Sequence, residues 1–319
     1  MDKKKQTQQG YWKKLFSSPT QGLGGGLAFS FASSVPTAMV LFAALFIASV
    51  TGWKSHTDGL PNDWYLYCMQ IFGQLAFFLS ALAALRVARR PIKQMLVKQK
   101  CHWKYFVLAI LLQVGLFALS ELNVLFLNFL GKFGYVNEPT YLPSMDGFGL
   151  VWVLLTVALL PAICEEFLFR GVVLDGLRSF GTVGSILLCG GLFALFHQDP
   201  AQTIYQFCCG AAFALVAVKS GSILPTMLAH FINNAIILLL TACGVTEFTM
   251  PVFIAVMCVT SLCLIGSLAY LIFFDKKEKS VKTQTSEQLK TERKHFGICV
   301  SFGVVICALS WVTALLSGM

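Results

Sequence analysis

The chain has 319 residues, of which 56% are apolar and only 12% charged, at a mean hydropathy of +0.72. A typical soluble domain carries about twice that share of charge, and its surface has to be coated with polar groups. The composition therefore excludes a soluble enzyme, a disordered chain and a disulfide scaffold, and predicts an all-α, polytopic transmembrane helix bundle of eight to nine spans. The formal charge of +9 has to be read from where the charges lie.

A spanning helix needs about 20 apolar residues. Such runs lie at 28–50, 65–86, 105–128, 148–178, 182–198, 201–218, 222–243, 250–273 and 296–317. The fourth is too long for a straight crossing, and the fifth and sixth are short. Residues 1–27 form a basic tail, Gly-rich from Gln21 to Gly26 and expected to be mobile. Residues 28–147 supply N-terminal spans, 148–243 a helical core, and 244–319 C-terminal spans. A Lys/Thr/Gln/Glu linker at 275–295 sets the last helix apart, as if dispensable. No secretory signal is expected, because the first apolar run is long enough to span and lacks a small-residue cleavage site.

Charge placement tests this division. Every Lys and Arg except Arg170 falls outside the apolar runs or at their ends. With the N-terminus cytoplasmic, all but Lys54 and Lys132 fall on the cytoplasmic half, as the positive-inside rule expects. The net charge thus reports topology and not a nucleic-acid partner. The eleven cysteines lie almost all within spans and form no C-x-x-C pair, which reads as apolar packing; Cys164 alone borders an acidic pair.

An ionisable side chain inside a bilayer is costly, so each one is a candidate for function. The candidates are Glu121, Glu165, Glu166, Arg170, Asp175, His197 and His230. Glu121, near the outer end of its span, can reach interfacial water. The run from Pro161 to Gly171 is different, because it places two adjacent carboxylates in an apolar helix. Glu166 and Arg170 are an i, i+4 pair on one face, while Glu165 points about 100° away. One carboxylate is neutralised and the other is left free for general-base work. Pro161 removes a backbone hydrogen bond one turn earlier and is expected to bend the helix.

Helix rise places Glu165 about 20 Å and His197 about 22 Å from the same turn near Ser179–Gly181, at matching depth. His230 enters on the next helix but one, and Asn234 lies one turn further on its face. A Glu, two His and an Asn from three helices are thus expected to share one polar pocket in the membrane.

At these residues the sequence resembles the CAAX-processing and bacteriocin-processing (CPBP or Abi) intramembrane proteases. Glu165-Glu166-x-x-x-Arg170, Phe193-x-x-x-His197 and His230-x-x-x-Asn234 match that family's E-E-x-x-x-R, F-x-x-x-H and H-x-x-x-N motifs, in order, across roughly residues 148–240. The resemblance implies an intramembrane endopeptidase acting on a membrane-associated protein or peptide. Glu165 would activate water, with His197 orienting it. Glu166 and Arg170 would support the pocket, and His230 and Asn234 would stabilise the oxyanion. No cofactor is required in this reading; zinc on Glu165, His197 and His230 is the alternative, although no H-E-x-x-H helix is present. The competing functional expectations are a catalytically silent membrane regulator of the same fold and, with less support, a proton-coupled transporter. The lipid bilayer is an expected partner, and a bacterial plasma membrane the expected location.

Overall fold

The computed structural model describes residues 20–34, 56–57, 60–96, 101–137, 141–245, 247–275 and 285–319. Apart from a single turn at Lys93–Leu96, nine helices follow one another among these residues. They are α1 (21–34), α2 (Asp63–Val87), α3 (Lys104–Gly131), α4 (Phe148–Gly176), α5 (Arg178–Phe196), α6 (Pro200–Ser220), α7 (Leu224–Ala242), α8 (Met250–Phe274) and α9 (Ser286–Ser317). From α2 to α9, eight are long and apolar enough to cross a membrane. The non-helical exception is a small hairpin before α2, where β1 (His56–Thr57) pairs antiparallel with β2 (Leu60–Pro61). The protein is a polytopic helical bundle, as the composition predicts.

Start signals in the sequence explain several helix ends. Asn62 accepts a hydrogen bond from the Trp64 amide at 2.9 Å and so caps α2. Thr285 and Gln288 form a reciprocal capping box at the head of α9. The helix therefore begins within the segment expected to be a solvated linker, ten residues ahead of the apolar run. The rest of the 28–50 run, the tail before residue 20 and linker residues 276–284 lie outside the described residues.

The N-terminal glycines are not part of a mobile tail. Residues 22–30 are buried in α1, and the glycines let its backbone approach two neighbours. A Cβ placed on Gly25 would lie 2.8 Å from the Gly176 Cα of α4, and one on Gly26 would lie 2.7 Å from the Cys299 Cβ of α9. Glu292 of α9 accepts from the Gln21 and Gly22 amides at 3.3 and 2.5 Å, setting an acid at the positive end of α1. Further along the same seam, Ser30 donates to the Cys299 carbonyl and accepts from the Gly303 amide. The last helix is thus packed against the first, contrary to the expectation that it stands apart.

Successive helices run in alternating directions, so one end of the bundle gathers the basic residues. Asp175 is buried there between Arg90 and Arg178, at 3.1 and 3.2 Å. Asp275 accepts from Lys104 at 2.8 Å and Tyr105 at 2.9 Å, while Lys219 donates to its backbone carbonyl at 3.0 Å. These contacts bind α3, α6 and α8 together.

Half of the apolar window of α6 is buried, 50%, against 11% for α8. Helix α6 is therefore central and α8 peripheral, with Leu262 and Ile265 exposed on its outer face. Close contact between α5 and α6 depends on glycine: a Cβ on Gly210 would lie 2.8 Å from the Gly190 Cα. Beside this contact, Phe169 packs edge-on against Phe193 and Phe196, at centroid separations of 5.0 and 5.2 Å. These rings form an aromatic floor of the kind favoured by the ring quadrupole.

Helix α4 is long because it is not a uniform α-helix. Wider π-type turns span Leu154–Leu159 and Phe167–Val173, on either side of the α-helical stretch Leu160–Glu166. Turns of this kind advance less per residue and are frequent at functional sites.

Candidate active site

Pro161 explains the first irregularity. It has no N–H to offer the carbonyl of Val157, four residues earlier. The Asn234 side-chain amide of α7 donates to that carbonyl at 3.2 Å. The proline thus frees a backbone acceptor inside the apolar bundle, and an asparagine from another helix satisfies it, as an unpaired buried carbonyl requires.

The two glutamates that follow sit in different surroundings. Glu166 is fully buried, and its Oε1 accepts from Arg170 Nη1 at 2.7 Å and from His230 Nδ1 at 2.9 Å. Arg170 also donates to the Gly210 carbonyl at 3.2 Å, a contact that the small-residue approach of α5 and α6 makes available. Its guanidinium lies over the Phe193 ring, 4.4 Å from the centroid, and over Phe213 at 5.2 Å. Cation–π contact adds to the hold on the charge where water is absent.

Glu165 instead meets a neutral amide. Its Oε1 accepts from Gln74 Nε2 of α2 at 2.9 Å, and its Oε2 lies 4.0 Å from His230 Nε2. The His230 ring therefore stands between the two carboxylates, bonded to one and facing the other.

His197 is the residue immediately after α5. Gln198 follows in a left-handed conformation at φ 55°, unusual for a residue with a side chain, and turns the chain into Asp199. That aspartate accepts from the Ala201 amide at 2.8 Å and starts α6. Gln198 reaches Cys307 of α9 at 3.6 Å, so the last helix touches the loop beside the histidine. His197 Nδ1 is 2.8 Å from the Phe193 carbonyl. A carbonyl can only accept, so Nδ1 carries the proton and Nε2 the lone pair in the neutral ring. The Phe193 ring lies edge-on to both imidazoles, 4.7 Å from His197 and 6.1 Å from His230.

Arg170, His197 and His230 thus meet at Phe193, with Glu166 bonded to Arg170 and His230 and Glu165 facing His230. Asn234 is on the same helix as His230 and belongs to a second, uncharged cluster. Its Oδ1 accepts from Asn233 Nδ2 at 3.0 Å; Asn233 Oδ1 in turn accepts from Gln113 of α3 at 2.7 Å and Tyr205 of α6 at 2.9 Å. The candidates Glu121 and Asp175 lie elsewhere: Glu121 is part-exposed toward the other end of the bundle, and Asp175 is held in its ion pairs at the basic end. Cys164 is buried beside Glu165.

Sequence reasoning passed over Gln74, Gln113, Tyr205 and Asn233. The signal available was an amide or phenol alone in an apolar run, the residue types that hydrogen-bond between membrane helices.

The zinc alternative would use Glu165, His197 and His230. Among the described residues, no three His, Cys, Asp or Glu side chains are grouped as a metal would need. One nitrogen of each imidazole is engaged, His197 by a carbonyl and His230 by Glu166, which leaves the other nitrogen of each ring for chemistry.

Fold and site together define a polytopic membrane protein with acid, base and guanidinium chemistry inside its helices. Residues 147–236 match the family model of Rce1-like type II CAAX prenyl endopeptidases. That segment runs from the start of α4 into α7 and carries all three motifs. No curated protein and no solved structure matches the chain.

Proposed function

We propose that the protein is an intramembrane endopeptidase that hydrolyses a peptide bond in a membrane-associated protein or peptide, with Glu165 as the base that activates water. The observation that carries this reading is the unequal treatment of adjacent carboxylates. Glu166 is committed to Arg170 and His230, whereas Glu165 is held by one neutral amide. A carboxylate bound to a guanidinium is a poor proton acceptor, while one held by a neutral donor can take a proton and return it.

In the proposed reaction, water bound at Glu165 Oε2 and His197 Nε2 gives a proton to Glu165 as its oxygen attacks the scissile carbonyl. The tetrahedral oxyanion is stabilised by His230 in its imidazolium form, through Nε2–H, and by the second N–H of Asn234. The other ring nitrogen is bonded to Glu166 at 2.9 Å. The C–N bond then breaks, the Glu165 proton passes to the leaving nitrogen, and a carboxylic acid, which ionises in water, and an amine remain. No metal takes part in this scheme. Zinc analysis of the active, detergent-solubilised protein is expected to find no stoichiometric metal, and one zinc per active chain would overturn that part of the reading.

The unit 148–243 is proposed as the catalytic core, set in a bacterial plasma membrane with the N-terminus cytoplasmic. The concentration of Lys and Arg at one end of the bundle supports that orientation. Glu165→Gln keeps size and hydrogen-bonding capacity but cannot act as base. It is expected to lower cleavage by about 100- to 10,000-fold, the usual contribution of a positioned acid–base group, while the protein still inserts and folds. Comparing membrane-peptide termini from cells carrying either form would reveal the substrate. A fully active Glu165→Gln protein would end the proposal.

A further inference from the structure

Gln74 lies on α2, outside the segment that matches the family model. It is buried in an otherwise apolar stretch, and its amide has two ends in different states. Nε2 donates to Glu165 Oε1 at 2.9 Å. Oε1 is buried and has no hydrogen-bond partner among the described residues. An idle buried acceptor costs stability that a leucine or methionine at this position would not incur. Its presence is explained by what the other end of the amide does.

We infer that Gln74 is the positioning residue of the catalytic carboxylate, a neutral clamp that fixes Glu165 Oε1 and leaves Oε2 as the oxygen that takes and returns the proton. The inference rests on the reading of Glu165 as the base. Among the described residues, the Gln74 contact is the one hydrogen bond to that carboxylate. With Oε1 fixed, the carboxylate plane cannot spin, and Oε2 is kept facing the His230 ring at 4.0 Å.

The neutrality of the clamp matters as much as its position. When Glu165 is ionised, Oε1 accepts from the amide. When Oε2 carries the proton, Oε1 becomes the carbonyl oxygen of the acid and still accepts from the same N–H. The bond therefore persists through both halves of the cycle. A lysine or arginine here would lock the carboxylate in its charged form, as Arg170 does for Glu166. The ionisable groups facing Glu165 are His230 from α7, His197 beyond the end of α5, and Cys164, Glu166 and Arg170 on its own helix. From α2 it meets only the neutral amide.

Gln74→Met keeps the length and removes the donor. It is expected to lower kcat about tenfold with KM unchanged, the loss expected for one buried hydrogen bond to a charged group. Thermal unfolding in detergent should be unchanged or slightly improved, because the idle acceptor also goes. Infrared difference spectra between acid and neutral pH give a readout independent of cleavage. The carboxylic C=O stretch that disappears in Glu165→Gln belongs to Glu165, and in Gln74→Met it is expected at higher frequency, because that carbonyl has lost its donor. An unmoved band, or unaltered kcat, overturns the clamp. If the native protein proves to cleave nothing, the peptidase reading fails on that result, and the infrared band still decides whether Gln74 holds Glu165.

Discussion

Two polar clusters lie within one apolar bundle and share α7, yet they are built on opposite principles. Around His230, one turn of the helix joins a carboxylate, a guanidinium and an imidazole at 2.7 to 2.9 Å. Around Asn233, the next turn joins amides and a phenol, with no charge at all. Charge is kept to the turn nearest Glu165, and the next turn of the same face is tied to α3, α4 and α6 by neutral bonds. The fields acting on the proposed base are then set by Glu166, Arg170 and the two histidines, while the register of α7 is set by groups that add no field. A site that must gain and lose a proton inside a membrane benefits from that separation.

The comparison breaks most visibly if the charged cluster is cut. Arg170→Met leaves Glu166 buried with His230 as its only cation, and removal of one partner from a buried pair costs about 3–5 kcal/mol. Denaturation in mixed micelles should show a loss of that size. Arg170→Met combined with Glu166→Gln should recover part of it, since an uncompensated charge costs more than two missing ones. An equal or larger loss in the double variant would mean that the pair acts through shape and not through charge.

The neutral cluster should give a smaller and different response. Asn233→Leu leaves Gln113, Tyr205 and Asn234 each short of a partner, at a cost of about 1–3 kcal/mol. Because Asn233 also orients the Asn234 amide, cleavage should fall beyond what the loss of folded protein explains. Cleavage by Asn233→Leu equal to native, per folded molecule, would show that Asn234 needs no such support.

This contrast also governs what could be read without coordinates. Glu165, Glu166 and Arg170 stand out because a charge in an apolar run is conspicuous, and the i, i+4 rule pairs Glu166 with Arg170 at once. Helical rise predicts one depth for Glu165 and His197; His197 packs on Phe193, and Glu165 faces His230, whose ring meets the same phenyl. Rise alone gives no rotation, however, so the Nδ1 contact of His230 with Glu166 was not foreseen. Nor was Gln74, on a helix far away in the chain. Asn234 was visible as a motif residue, but its bond to the Val157 carbonyl follows only when Pro161 and α7 are placed together. At the termini, a glycine-rich run reads equally as loose tail or as a surface for close helix contact. Contact with Gly176 and Cys299 decides for the second, and that information lies in sequence 150 to 275 residues away.

The mildest test concerns a charge outside the spans, at the basic end. Asp275 is mostly buried, which by itself pushes its carboxyl up. Hydrogen bonds from Lys104 and Tyr105, with the charges of Lys104 and Lys219, outweigh burial and hold it below the usual carboxylate range. A group depressed in the folded state contributes stability that is full above its unfolded value, about 3.9, and is lost as pH falls through the lower folded value. Native protein should therefore melt above Asp275→Asn at neutral pH. The gap should begin to close below about pH 4. Loss of the gap near neutrality would instead assign the contact to a group other than the carboxylate. A gap that persists undiminished into strong acid would mean that Asp275 joins α3 to α8 by packing alone.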